Sequence, residues 1–412
     1  MGRKLVLIMG LGGVLIIISL IFGGLDYTLS TRVLRPRLSV RLDATSPAFR
    51  LVNANSVDNV LAVLKFDASV EDINITQLGL QLSNPGVNAP QDLPRVSLWT
   101  SDTNQMVGEV VFTSDYAVAT ISGFVVPADG RRLMIIKGNI AAIGTAQPAN
   151  PGDIIFVDYD GGASDASGNI TRGVGISSGQ TIYATPTGNS YDTRSAGVRI
   201  FKAVPTIAKI TIPSSTLING SDRSLYRFSV TAPSTGAVGL YKFSFGVSTT
   251  TSGVTTYEVN AFAVYGYSDS SFSQAAYANN GRLNSATEGY AMTTQDDTGV
   301  IEIHFDPLTQ AGVNEAIQVP AGQTRYFELL GTIANMSATS STLTVDLRGD
   351  AADRILDSRL RAADRVDLLR ENDFIWSGNS TTISGVSFRD WANGYAIPGL
   401  PSINLSPNTL TP

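Results

Sequence analysis

GFVVPADGRRLMIIKGNIAAIGTA (Gly123–Ala146) and AIQVPAGQTRYFELLGTIANMSAT (Ala316–Thr339) are two versions of one pattern. In each, a Val-Pro-Ala turn opens a stretch in which apolar and polar residues alternate. Pro127 falls on Pro320, Gly130 on Gln323 and Ile140 on Ile333. Alternation of this kind is the signature of a strand with one buried face. It assigns Leu133, Ile135 and Ile140 to the core in the first copy, and Tyr326, Leu329 and Ile333 in the second.

The likeness extends outward from that pair. VLKFDASVEDINITQLGLQL resembles LYRFSVTAPSTGAVGLYKFSF, with Phe66 on Phe228, and Leu78 and Leu80 on Phe243 and Phe245. PRVSLW then resembles AFAVYG. Three matches in the same order point to a duplicated unit. Short strands at regular spacing, cut by Pro, Gly and Asn turns, predict Ig-like β-sandwiches. The expected fold class is mainly β: a hydrophobic helix over residues 1–25, a stalk over 26–37, tandem Ig-like sandwiches over 38–197 and 198–350, and a C-terminal helix and extended strap over 351–412. The second sandwich carries an insertion, Ser268–Gly299, rich in Ser, Asn, Gly, Tyr and Ala.

The expected helix rests on LVLIMGLGGVLIIISLIFGGL (Leu5–Leu25), which has no charged side chain. About 20 apolar residues in a helix cover a bilayer core of roughly 30 Å. Arg3 and Lys4 precede the run, as in a secretory signal, but no small-x-small cleavage site is clear. The run reads as a membrane anchor or a helix–helix assembly core, with a cleaved signal as the other reading. At the far end, Ala351–Arg370 has no Gly or Pro and places Asp357 four residues before Arg361, as a helix would use them. Beyond it, Trp376, Trp391 and Tyr395 sit among Pro, Gly and Asn, which reads as a strap.

Composition narrows the function. The chain has 412 residues and no cysteine, which removes disulfides, thiolate metal sites and thiol catalysis. Charged residues are 16% of the chain, and Ser, Thr, Asn and Gly stand in for them as surface formers. A net charge of −6 argues against a nucleic-acid partner.

The FDASVEDINITQLGLQL stretch, the VPADGRRL and VPAGQTRY turns, the FKAVPTI entry and the FIWSGNS…DWANGY…GLP ending carry a further likeness. Over most of residues 38–401 the chain resembles secreted surface proteins of Patescibacteria. That resemblance implies an Ig-like cell-surface or surface-layer component, and it transfers no catalytic residue.

The best candidate site in the residues is VDYDGGASDASGN, with Asp158, Asp160, Asp165 and Asn169 as oxygen donors for Ca²⁺. A polar turn is the competing reading, since Asp and Gly favour turns for local reasons. His304, the one histidine, sits in VIEIHFDP with no nucleophile motif beside it and reads as a solvated strand residue. Arg348-Gly349-Asp350 spells an integrin-type tripeptide directly after a strand and reads as chance. The expected role is therefore non-catalytic: a cell-surface structural protein that assembles with copies of itself into a surface lattice or filament. The alternative is an adhesin or ligand-binding module whose binding loop is the Ser268–Gly299 insertion. A carbohydrate-active enzyme built on a carboxylate pair finds no supporting spacing.

Overall fold

The computed structural model describes residues 5–11, 14–20, 30–33, 35–83, 88–251, 257–284, 292–293, 298–305, 317–336, 340–353, 355–356, 372–380 and 390–412. Runs rich in Val, Ile, Phe and Tyr, cut by Pro, Gly and Asn, form strands throughout, so the chain is mainly β. It divides into two units. One holds residues 1–49, 56–141 and 154–198, and the other 50–55, 142–153 and 199–412.

The leading apolar run is not the expected helix. Leu5–Leu11 (β1) pairs antiparallel with Val14–Leu20 (β2), Leu11 standing opposite Val14. Strand β2 pairs in turn with Ser30–Val33 (β3). Val6, Ile8, Val14, Ile16, Ile17 and Ile18 are β-branched and favour the extended backbone. An unbroken apolar run has no period, so a helix and a strand read alike in it. Among the described residues, no helix is long and apolar enough to cross a membrane.

The first unit contains Arg37–Leu42 (β4), Asn59–Ser69 (β5), Ile73–Gln81 (β6), Arg95–Thr100 (β7), Met106–Val110 (β8), Tyr116–Val126 (β9) and Arg131–Asn139 (β10). Asp158–Tyr159 (β11), Arg172–Gly175 (β12) and Thr181–Tyr183 (β13) follow. One sheet runs β4-β5-β10-β7-β8. The other runs β9-β6-β12-β13, with β11 also on β6. The sheets meet face to face, the Phe66 ring of β5 lying 5.1 Å from Phe124 of β9.

The second unit contains Thr206–Ile210 (β14), Gly220–Thr231 (β15), Val238–Thr251 (β16), Glu258–Tyr267 (β17), Met292–Thr293 (β18), Thr298–His304 (β19), Ile317–Val319 (β20), Thr324–Ala334 (β21) and Ser341–Leu347 (β22). Its first sheet runs β14-β15-β21-β17-β18, matching β4-β5-β10-β7-β8 term by term. In its second sheet β16 takes the place of β6, β22 that of β11, and β19 with β20 that of β9. The core here is aromatic. The Phe243 ring lies 4.5 Å from Phe305, 5.0 Å from Phe228 and 5.2 Å from Phe327.

The Val-Pro-Ala turns are equivalent in detail. Gly130 N–H donates to the Pro127 carbonyl at 3.1 Å, and Gln323 N–H to the Pro320 carbonyl at 3.0 Å. The residue before each donor has a left-handed backbone: Asp129 at φ 49° and Gly322 at φ 69°. The expected core residues Ile140, Leu329 and Ile333 are buried. The first strand otherwise turns its other face inward, with Met134 and Ile136 buried and Leu133 and Ile135 half-exposed; in the second copy Phe327 replaces Tyr326 in the core. Pairing also corrects two of the sequence matches. Val126 pairs with Ile73 and Val319 with Val238, so Leu78 and Leu80 do stand where Phe243 and Phe245 stand. Asp67 pairs with Arg131 and Thr231 with Thr324, which puts Phe66 on Val230 and Leu64 on Phe228. Leu98 corresponds to Val264, one residue away from the PRVSLW match.

Of the expected helix Ala351–Arg370, residues 351–353 are irregular and Ile355–Leu356 is a strand (β23); the rest lies outside the described residues. Phe374–Ser377 (β24), Trp391–Asn393 (β25) and Asn408–Leu410 (β26) are strands too. The C-terminal segment therefore completes the second sheet as β23-β25-β24-β16-β22-β26. Strands β24 and β25 repeat β12 and β13 of the first unit: each first strand pairs the central strand, and each second strand pairs the first.

Candidate functional site

The four expected calcium ligands have separate surroundings. Asp158 is fully buried and accepts hydrogen bonds from Ser83 Oγ at 2.7 Å, Ser195 N–H at 2.7 Å and Thr193 Oγ1 at 3.2 Å. Burial pushes its carboxyl above the usual range, and those donors oppose the shift. Asp165 lies on an exposed two-stranded turn, where it accepts from Ser167 N–H and pairs with Arg172 at 3.3 Å. Asn169 is buried, its Oδ1 accepting from Thr171 N–H at 2.7 Å. Asp165 and Asn169 bond within their own turn, whereas Asp158 bonds to residues far along the chain. Among the described residues, no three Asp, Glu or His side chains converge as metal ligands do.

Asp160 meets a residue that sequence reading missed, Asp192. The Gly162 N–H lies 3.0 Å from Asp160 Oδ1 and 3.3 Å from Asp192 Oδ1, so two carboxylates share one donor. Burial raises the Asp160 carboxyl, and the Asp192 charge raises it further. Asp192 lies outside the VDYDGGASDASGN motif and belongs to no motif of its own. Only the fold places its carboxylate beside Gly161 N–H, at 2.8 Å.

The second unit holds a denser polar cluster. Lys242, in the middle of β16, is the one buried lysine among the described residues. Its Nζ donates to Glu302 Oε1 of β19 at 2.9 Å and to the Asn372 main-chain carbonyl at 2.8 Å. Asn372 is buried just before β24, and its Oδ1 accepts from Asn393 Nδ2 at 3.1 Å. Asn393 is fixed in turn: its Nδ2 also donates to the Ala352 carbonyl at 2.8 Å, and its carbonyl accepts from Trp376 Nε1 at 2.8 Å. Burial lowers the Lys242 ammonium, against the opposing pull of Glu302.

The FIWSGNS and DWANGY motifs build this cluster. Asp350 accepts from Gly394 N–H at 2.6 Å, Asp373 N–H at 2.9 Å and Phe374 N–H at 3.3 Å. A Cβ on Gly394 would stand 2.8 Å from Phe374 Cβ and 2.9 Å from Asp350 Oδ2, so a glycine is required there. Ser380 Oγ donates to Asp390 at 2.6 Å. Asp350 is thus a buried staple, which takes Arg348-Gly349-Asp350 out of display. His304 stands opposite Lys242 and is half-buried, its ring 6.4 Å from Tyr241, so it is not the solvated strand residue expected. In the insertion, Phe272 lies under Arg227 at 3.9 Å, and Tyr277 Oη donates to the Gln318 carbonyl at 3.1 Å. Those two aromatics pack on the unit rather than project from it.

No family model and no curated protein matches the chain. Among solved structures it is similar to the secreted serine protease VesC from Vibrio cholerae at 8% identity and a TM-score of 0.15, over 73% of this chain and 50% of that one. Red sea bream transglutaminase is 10% identical at a TM-score of 0.16, over 77% of this chain and 29% of that one. The tandem CBM22 domains of Paenibacillus barcinonensis Xyn10C are 10% identical at 0.15, over 73% and 94%. The chain spans half of the first of these and under a third of the second. TM-scores this low carry no argument about fold or function.

Proposed function

We propose that the chain is a non-catalytic structural protein of the cell exterior, assembling with its own copies into a surface lattice or filament through its leading apolar strands. The observation that carries this is the composition of β1 and β2, which hold only Leu, Val, Ile, Met, Gly and Ser19. Successive strand residues point to opposite faces. Strands with a single polar side chain between them call for apolar cover on both faces, as in the buried sheets of layered folds. Identical surfaces on identical chains satisfy such a need in symmetric arrays.

The weakly charged surface and the likeness of FDASVEDINITQLGLQL and the C-terminal motifs to Patescibacterial surface proteins support an exterior location. Ile8 and Ile17 stand opposite each other in the β1–β2 register. The double variant Ile8→Asp, Ile17→Asp puts two charges in that sheet. Sedimentation velocity is expected to show large assemblies for the parent chain and dispersed monomers for the variant. Equal sedimentation of the two would remove this sheet from assembly.

A further inference from the structure

We propose that Lys242 and Asn372 become joined by an isopeptide bond, formed without any added enzyme inside the second unit. Three groups that the reaction needs meet there. Lys242 Nζ is the nucleophile and already touches Asn372 through its main-chain carbonyl at 2.8 Å. Glu302 Oε1, at 2.9 Å from Nζ, is the proton acceptor. Asn393 Nδ2, at 3.1 Å from Asn372 Oδ1, is the donor facing the oxygen on which charge gathers during attack. The amide carbon under attack, Asn372 Cγ, is two bonds from the Cα of the residue that Nζ touches.

The atoms balance with no co-reactant. Nζ gives a proton to Glu302 and attacks Cγ, and a carbon–nitrogen bond forms. The bond from Cγ to Nδ2 then breaks, and Nδ2 leaves as ammonia. Of the three protons on the lysine ammonium, one stays on the new amide nitrogen, one departs on ammonia and one remains on Glu302. Nothing is oxidised or reduced. A positive and a negative charge are replaced by two neutral groups.

That last point is the physical reason to expect the reaction. A buried ion pair barely offsets the loss of hydration of its two charges. Lys242 has no exposed side-chain surface, while Glu302 keeps 26% of its own. Burial weakens the ammonium's hold on its proton, which favours the amine form that attacks. The first unit provides an internal comparison. By strand register, Gln77 stands where Lys242 stands and Val118 where Glu302 stands. Arg172 pairs with Gln77 as Ile375 pairs with Lys242, which puts Asn169 in the place of Asn372. That unit has the amide but neither the amine nor the carboxylate, so the bond is confined to the second unit.

The test is the intact mass of the full chain after folding, followed by fragmentation. The expected mass is below the sequence mass by one ammonia, ~17 Da, with one fragment ion series containing both Lys242 and Asn372. The full sequence mass would overturn the proposal. So would a deficit of ~18 Da, which marks loss of water and an aspartate such as Asp350 or Asp373 as the partner. A ~17 Da deficit without the joined fragment, the mark of a local succinimide, would overturn it as well. In Glu302→Gln the deficit is expected to disappear; its persistence would remove Glu302 from the reaction.

Discussion

Asp160 shows what a single carboxylate does to this fold. Its folded form holds a proton more tightly than the free residue, because burial and then Asp192 disfavour its charge. The sign follows from linkage. Stability from this group is present below the ordinary value of 3.8 and is lost as pH rises through the raised folded value. Asp160→Asn keeps an oxygen for the Gly162 N–H and removes the repulsion. Unfolding free energies from urea titration are expected to be higher for the variant at pH 7, by roughly 0.5 kcal/mol. They are expected to converge near pH 3, where the parent carboxyl is protonated. A constant offset across that range would show that the Asp160–Asp192 contact is not the cause. Asp158 differs, since three donors already occupy its oxygens.

At the scale of elements, β26 closes an edge. Leu410 is 1% exposed and pairs with Leu343 on β22, while Tyr226 Oη donates to the Ser406 carbonyl at 2.8 Å. Removing residues 406–412 strips a buried leucine and opens the row of β22 amides, at a cost of about 2–5 kcal/mol. Hydrogen exchange is expected to quicken in β22 and stay unchanged in β10. Protection of β22 at the parent level would show that β26 is dispensable. The elements themselves were largely legible in the sequence, because turn chemistry and alternation are local. Register was less so. Matching Phe66 to Phe228 followed side-chain size, whereas the backbone sets Leu64 against Phe228 through the pairs Asp67–Arg131 and Thr231–Thr324. The β1–β2 hairpin was missed because an all-apolar run has no period to read. The Lys242 cluster was invisible for a different reason: its contacts join residues 60 and 130 positions apart.

For the whole molecule, duplication explains the economy of the chain. One strand order serves twice, with an aliphatic-rich core in the first unit and a phenylalanine core in the second. The repeated unit also shows where the copies have diverged: Gln77, Val118 and Asn169 against Lys242, Glu302 and Asn372. Each unit buries its own core, and the assembly proposed above rests on the apolar composition of β1 and β2. Negative-stain electron microscopy of the purified full chain bears on this most directly. Ordered filaments or sheets are expected, and they are expected to be absent when residues 1–34 are removed. Dispersed single particles from the full chain, indistinguishable from those of the shortened one, would contradict it.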